Sequence, residues 1–429
     1  MTFKPKGENE VNKNVILLMA AASSLAIAGA AQAQDVPEAP VETAEVQSDA
    51  ATQLEFLKAQ LEGLQAQISE LQKKSDKNEA TWKTASWVNE TKVTGRMYFD
   101  FSNISQKNNG VIVPGTDKTT NFELKRFYLG VDHKFDDTFS ANLTTDVTWS
   151  SGVGATLYIK KAYLQAKLND ALVVRLGAND MPWIPFVEGL YGYRHIEQTV
   201  ADRTKFGTSS DWGIHASGKF GGGLVEYAAA VVNGAGYRNP PGVGGTNRSR
   251  SLDFEGRVNL NYKGFVVGVG GYTGKLGKDQ KPSAATPSPA INTASRLNAV
   301  VAYKSDLFTI GGEYFRAKNW NNVTGSISPT LNIKSDGWSG FASVNFMPKW
   351  SAFGRYDHVR TNKLINTRDD YWNVGIQYSP AKIVDLALVY KRDVAENGAV
   401  STGNGTIGAA GVGSHGTYDE FGLFGQFRF

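Results

Sequence analysis

The chain contains no cysteine. That excludes a disulfide framework, a thiol nucleophile and any cysteine-ligated metal centre. Histidine is scarce too, with five copies scattered at positions 133, 195, 215, 358 and 415. Neither G-x-S-x-G nor H-E-x-x-H occurs. The one match to G-x-G-x-x-G, at 403–408, lies in a glycine-rich stretch rather than between a strand and a helix. The chain therefore reads as a non-enzyme without cofactor or metal, and His195 reads as a solvated loop histidine. A formal net charge of +4 is too small to mark a nucleic-acid partner. Beyond the N-terminus, no stretch approaches the roughly 20 apolar residues that a spanning helix needs.

What is present begins with "KNVILLMAAASSLAIAGAAQAQ". Lys13, a short apolar run from Val15 to Ala30 and the triplet Ala31-Gln32-Ala33 predict a signal peptide over 1–33, with the mature chain starting at Gln34. Residues 34–52 are rich in Pro, Glu and Ala and read as a solvated linker. In 53–79, Leu54, Leu57, Leu61, Leu64, Ile68 and Leu71 are spaced 3, 4, 3, 4, 3, which is a heptad seam. A short coiled-coil helix that self-associates is expected there, on the periplasmic side.

From residue 80 the period changes from helical to two. In "SLDFEGRVNLNY", Leu252, Phe254, Val258, Leu260 and Tyr262 alternate with Asp253, Glu255, Arg257, Asn259 and Asn261. "KVTGRMYFDFS" sets Val93, Met97, Phe99 and Phe101 against Arg96, Tyr98 and Asp100. Sixteen such segments fall between 92 and 429, and short and long connections largely alternate between them. A soluble sandwich uses shorter strands, and a propeller would show a blade repeat. A polar face beside a lipid-compatible face, an even strand count and the long–short rhythm predict an all-β fold. It is a 16-stranded antiparallel transmembrane β-barrel over 80–429, in the outer membrane. Trp149, Trp212, Trp338, Trp350 and Trp372 lie near segment ends, as interfacial girdles require. Sixteen strands leave an aqueous channel. The last segment, "YDEFGLFGQFRF", is expected to pair with the first and close the barrel. Phe421, Leu423, Phe427 and Phe429 would then face outward, and Phe424 is an inward aromatic without an evident partner.

The connection 179–207 is rich in aromatic and apolar residues, so it should fold against something. Inside the barrel it would narrow the channel, with Glu188, Arg194, Glu197, Asp202, Arg203 and Lys205 at the constriction. The other readings are a rim cap or a subunit contact. Arg96, Asp100, Arg126, Arg175, Arg257 and Arg355 are among the expected pore-lining residues. Residues 34–79 carry an acidic excess and 80–429 a basic one, which points to mild anion preference in a passive diffusion channel for small ions and hydrophilic solutes. A general non-selective or sugar-passing porin is the alternative. An outer-membrane barrel enzyme would need a site at His358 with Asp357, or at His195 with Asp202.

The signal peptide, the heptads, "FELKRFYLGVDHKFDDTFSANLTTDVTW", "VVRLGANDMPWIPFVEGLYGYRHIEQTVADR" and the terminal aromatic together resemble the phosphate-selective porin O/P family of Gram-negative outer membranes. The resemblance covers most of the chain. It implies a trimeric, sixteen-stranded porin passing small anions such as phosphate. It also implies that Phe429 belongs to the signal read by the barrel-assembly machinery. Members known for phosphate use an arginine ladder and a lysine ring; Arg126, Arg175, Arg194 and Arg203 are the candidates here.

Overall fold

A computed structural model describes residues 46–84, 86–150, 154–239, 248–284 and 288–429. The expected signal peptide and linker residues 34–45 lie outside them. The chain divides into two compact units, Met1–Ala80 and Thr81–Phe429. Helix α1 spans Val46–Thr84, longer than the 53–79 read from the heptads. The prolines of the linker stop at Pro40, and the Glu-, Ala- and Gln-rich residues that follow are good helix formers. Leu54, Leu57, Leu61, Leu64, Ile68 and Leu71 are all exposed. A one-turn helix, α2, covers Ser86–Asn89. Among the described residues no helix is long and apolar enough to cross a membrane.

Sixteen strands build the second unit. They are β1 (Thr91–Asn108), β2 (Thr119–Lys134), β3 (Phe139–Ser150), β4 (Gly154–Asn169), β5 (Leu172–Asp180), β6 (Ser210–Phe220), β7 (Val225–Val232) and β8 (Asp253–Tyr262). Then follow β9 (Phe265–Gly274), β10 (Ala294–Lys304), β11 (Phe308–Lys318), β12 (Lys334–Met347), β13 (Trp350–Asn362), β14 (Thr367–Ala381), β15 (Val384–Glu396) and β16 (His415–Arg428). Each pairs antiparallel with its sequence neighbour, and β16 pairs back on β1 from Arg96↔Arg428 to Asn108↔Gly416. The sheet closes and has no free edge, so every strand can satisfy its backbone in lipid. A two-residue piece, Val111–Ile112, extends the first hairpin, and a small separate hairpin, Val400–Thr402 with Gly405–Ile407, sits in the last long loop.

Val258, Leu260, Val267, Val269, Val301, Ile310, Val374, Ile376 and Leu388 are exposed on the outer wall. In water this would be an aggregating surface; in a bilayer it is the solvated one. Aromatic pairs mark both rims. At the short-turn end are Phe265–Tyr303 at 4.6 Å and Trp350–Tyr378 at 4.7 Å between ring centres; toward the long loops are Trp338–Tyr356 at 5.3 Å and Trp372–Tyr390 at 5.1 Å.

Two strands break the alternation away from their ends. Between β1 and β2 the register passes from Tyr98↔Arg126 to Phe99↔Leu124, so Lys125 is an extra residue. Between β3 and β4 it passes from Thr144↔Lys161 to Thr145↔Ile159, so Lys160 is extra. Each is a β-bulge. Its effect is to turn two consecutive side chains, Lys125-Arg126 and Lys160-Lys161, toward the inside.

Candidate functional site

The connection from β5 to β6 folds into the barrel. Its ends are tied where the Met181 amide donates to the Ser209 carbonyl at 2.9 Å. Helix α3 (Ile184–Tyr191) carries Pro185 in its first turn and stops at Gly192, whose left-handed φ of 81° and amide bond to the Glu188 carbonyl cap it. Helix α4 covers Val200–Arg203.

One flank of this loop is greasy, and the barrel meets it with apolar residues on its inner face. Trp183, Ile184, Val187, Leu190 and Tyr191 pack on Val300, Ala302, Phe341, Phe353, Ala387, Val389 and Phe424. Phe424, the inward aromatic of the last strand, is thus part of the surface that receives the loop. Met181, Val200 and Phe206 pack on Ala230, Val232, Tyr272, Phe315 and Val359. Burial of each large side chain contributes about 1.5–3 kcal/mol. Glycines make the close approach possible: a Cβ at Gly270 would stand 2.6 Å from the Trp183 ring, and one at Gly268 would stand 3.0 Å from Phe186.

Polar anchors fix the register of this packing. The Trp183 indole N–H donates to Glu313 at 2.6 Å and its amide to Glu255 at 2.8 Å. Arg203 bonds three wall carboxylates, Asp357 at 3.2 Å, Asp369 at 2.9 Å and Asp393 at 3.0 Å. Tyr193 donates to Ser351 at 3.1 Å, and Arg355 reaches the Gln198 carbonyl. All these anchors lie on β8–β15, and with Phe424 of β16 they draw the loop to one side, so the opposite wall, β1–β5, is left open.

Two cavities occupy the open side. One, of about 780 Å³, reaches Lys382 and Phe429 at the short-turn end. The other, of about 710 Å³, reaches Asn121 and Thr402–Asn404 toward the long loops. Both are lined by Tyr98, Arg194 and His195, which form a neck between them. Arg194 is held by Glu188 at 2.7 Å, 5.9 Å from the Tyr98 ring centre. His195 is 4% exposed, and neither ring nitrogen meets a hydrogen-bond partner among the described residues. Burial pushes its imidazole down to about 4. Burial alone would raise the Glu197 carboxyl, but Lys391, Arg203 and Arg355 outweigh it and hold the group down to about 2.

A water-accessible passage through a closed sixteen-strand barrel is a channel. Residues 19–398 match the model of the Gram-negative porin family. The chain belongs to that family. No curated protein matches it. Among solved structures, the porin is similar to an anion-selective porin from Comamonas acidovorans, with a TM-score of 0.56 and 14% identity over 79% of this chain and 100% of that one. It is similar to OmpT of Vibrio cholerae, with a TM-score of 0.52 and 12% identity over 79% and 97% of the two chains. It is also similar to the outer membrane channel DcaP of Acinetobacter baumannii, with a TM-score of 0.52 and 12% identity over 77% and 96%. At such identities the likeness is one of fold. Fold and family together make this porin an outer-membrane channel.

The porin distributes the expected site residues unevenly. Glu188 and Arg194 line the first cavity as an ion pair, and Lys205 lines the second. Asp202 is buried and accepts from the Gln198 amide at 2.5 Å, and Arg203 faces the wall. Arg96 lines the first cavity and Arg126 the second, where Arg126 pairs with Asp146 at 2.9 Å. Asp100 is fully buried behind Lys125, 3.0 Å from its ammonium. Arg175 bonds Ser217 at 3.1 Å, and Arg257 bonds the Pro182 carbonyl at 2.8 Å beneath the Phe186 ring. Arg355 pairs with Asp357 at 2.5 Å, behind the loop. Phe429 lines the first cavity and exchanges two backbone bonds of 3.0 Å with Gly95. His195, expected to be solvated, is instead buried at the neck. Its tyrosine neighbours, Tyr98 and Tyr193, stand with ring centres 6.3 and 6.2 Å from it and cover most of the imidazole. Lys125 and Lys160 escaped the alternating pattern because bulges place them.

Proposed function

We propose that this porin passes small hydrophilic solutes with a mild preference for anions, phosphate among them. One observation carries the reading. Every side-chain carboxylate lining the two cavities is ion-paired: Asp180 with Lys161, Glu188 with Arg194, Glu123 with Lys125 and Glu197 with Lys391. Among the described residues, Arg96, Lys160 and Lys382 in the first cavity and Lys205 in the second make no ion pair. The uncompensated charge along the passage is therefore positive, which concentrates anions. The resemblance to the phosphate-selective porin O/P family supports the same sign. The tyrosines at the neck suit hydrophilic solutes in general, so the preference is a bias rather than a filter.

We read the assembly as a homotrimer. One form of Vibrio cholerae OmpT is a trimer, and the exposed heptad face of α1 offers a periplasmic self-association surface. Phe429, at the closing seam, serves recognition by the barrel-assembly machinery. The reading includes no catalytic step. His358 bonds Asp370 at 2.6 Å on the outward face, away from both cavities. Planar-bilayer recording tests the proposal. Conductance steps, a reversal potential of anion sign in a KCl gradient and reduced chloride current on adding phosphate are expected. A cation-sign reversal potential would refute the anion reading.

A further inference from the structure

The outer wall of β11 and β12 is graded rung by rung. Reading from the short-turn end, the outward pairs are Phe308/Val344, Ile310/Ala342, Gly312/Gly340, Tyr314/Trp338, Arg316/Asp336 and Lys318/Lys334. Two apolar rungs are followed by a glycine rung, an aromatic rung and two charged rungs. Next to the charged rungs, Arg360 and Lys363 both pair with Asp336, at 2.7 and 2.8 Å, and the Lys363 amide donates to the Lys334 carbonyl at 2.9 Å. Five cations thus surround one carboxylate. Arg316, Lys318 and Lys334 are exposed and make no ion pair among the described residues.

The glycine rung needs its own explanation. Neither glycine has a positive φ. A Cβ at Gly312 would come no nearer than 3.5 Å to a neighbour, and one at Gly340 no nearer than 3.9 Å. Backbone packing therefore does not require glycine at either position. What the missing side chains create is a groove of about 360 Å³ on the outer wall, lined by Ala299, Val301, Gly312, Tyr314, Trp338 and Gly340. Arg316 lies four residues above Gly312, about 13 Å along the strand, or roughly 10 Å along the membrane normal after strand tilt. That is the separation between a lipid phosphate and the middle of its acyl chain.

We propose that this face binds a phosphate-bearing lipid of the leaflet next to the long loops. One acyl chain lies in the glycine groove against Tyr314 and Trp338. The headgroup phosphate is held by Arg316, Lys318 and Lys334, with Arg360 and Lys363 behind them. Charge complementarity selects this occupant over a neutral lipid, since each cation near a membrane surface favours anionic headgroups. A second copy of the chain would have to bury the same unpaired cations against a matching acidic face.

Tryptophan quenching in bilayers of neutral lipid tests this, using full-length porin and either brominated-chain phosphatidic acid or brominated-chain phosphatidylcholine as the dopant. The Trp338 component is taken as the difference between the parent and Trp338→Phe. The acidic lipid should quench that component at lower mole fraction than the neutral one. Arg316→Gln, Lys318→Gln and Lys334→Gln should each weaken the acidic preference about fivefold. Gly340→Leu should reduce quenching by both lipids by filling the groove. Conductance should be unchanged throughout, because all these side chains lie outside the channel; this also reports that each variant has folded. Equal quenching by the two lipids in the parent overturns the proposal. Absence of quenching by either overturns it in favour of a covering subunit.

Discussion

Replacing Arg203 with methionine should loosen the end of the inner loop while leaving the barrel closed. Arg203 is 6% exposed in its side chain, and its guanidinium bonds Asp357, Asp369 and Asp393 at 2.9–3.3 Å while lying 4.4 Å from the Tyr371 ring centre. Without it, Asp357 still has Arg355. Asp369 and Asp393 have no other ion-pair partner among the described residues, and both are at most 3% exposed in their side chains. Breaking a buried pair by removing one partner costs about 3–5 kcal/mol, because a charge is left uncompensated. The two carboxylates share one site, so the cost is taken near that range and not doubled. The loop remains anchored at its other end by Trp183 on Glu313 and Glu255, so release is local to α4 and the neck residues before it. Urea unfolding from lipid bilayers should therefore show a loss of about 3–5 kcal/mol, and single-channel traces should show added open-channel noise. Arg203→Lys should fall between, since one ammonium cannot fork among three acids. Asp393→Asn in the Arg203→Met background should recover part of the loss. Parental stability together with quiet open-channel traces would refute the anchoring argument.

Other changes probe the passage itself. Arg96→Gln with Lys160→Gln removes two of the unpaired cations lining the first cavity, and should move the KCl reversal potential toward zero with little change in stability. His195 is neutral at pH 7, and protonation below about 4 adds a positive charge at the neck, near Arg96, Arg428 and Asp385. Anion preference should rise more steeply across that pH in the parent than in His195→Gln, where only the passage carboxylates are left to lose charge. The unfolded chain, with its imidazole near 6.5, binds this proton more readily than the folded one. The His195 contribution to stability should therefore fall as pH drops from 6.5 to about 4, by about 3 kcal/mol, and be constant below, where loss of the Glu197 contribution continues toward pH 2. His195→Gln should flatten that slope in acid unfolding titrations. At the closing seam, a Cβ at Gly422 would stand 2.5 Å from the Ser102 Cβ and 2.6 Å from the Phe101 carbonyl oxygen. Gly422→Val should cost about 1–3 kcal/mol and lower the fraction of heat-resistant folded barrel on gels.

Alternation made the barrel legible because a lipid face and a water face impose a period of two on every strand. It says which way a side chain points, however, and nothing about what stands in front of it. Arg257 and Arg355 point inward as expected, yet the loop covers them, and both donate to loop carbonyls. The inward apolar residues Phe341, Phe353 and Phe424 were the available sign that part of the wall is dry. The bulges left a sharper trace. Strict alternation would send one residue of Lys125-Arg126, and one of Lys160-Lys161, into lipid, at about 2–4 kcal/mol near the bilayer midplane. Their outward neighbours are apolar: Phe99 and Phe127 for the first pair, Leu157 and Ile159 for the second. Nothing outside would neutralise the stray charge. The doublet Lys391-Arg392 shows the contrast, since Arg392 does face outward and Asp419 pairs with it at 2.8 Å. An adjacent pair of cations in a spanning strand, with no acid available on the lipid side, therefore implies an inserted residue. By that reasoning "LKRF" and "IKKA" carry both the bulges and the basic wall of the passage in their sequence.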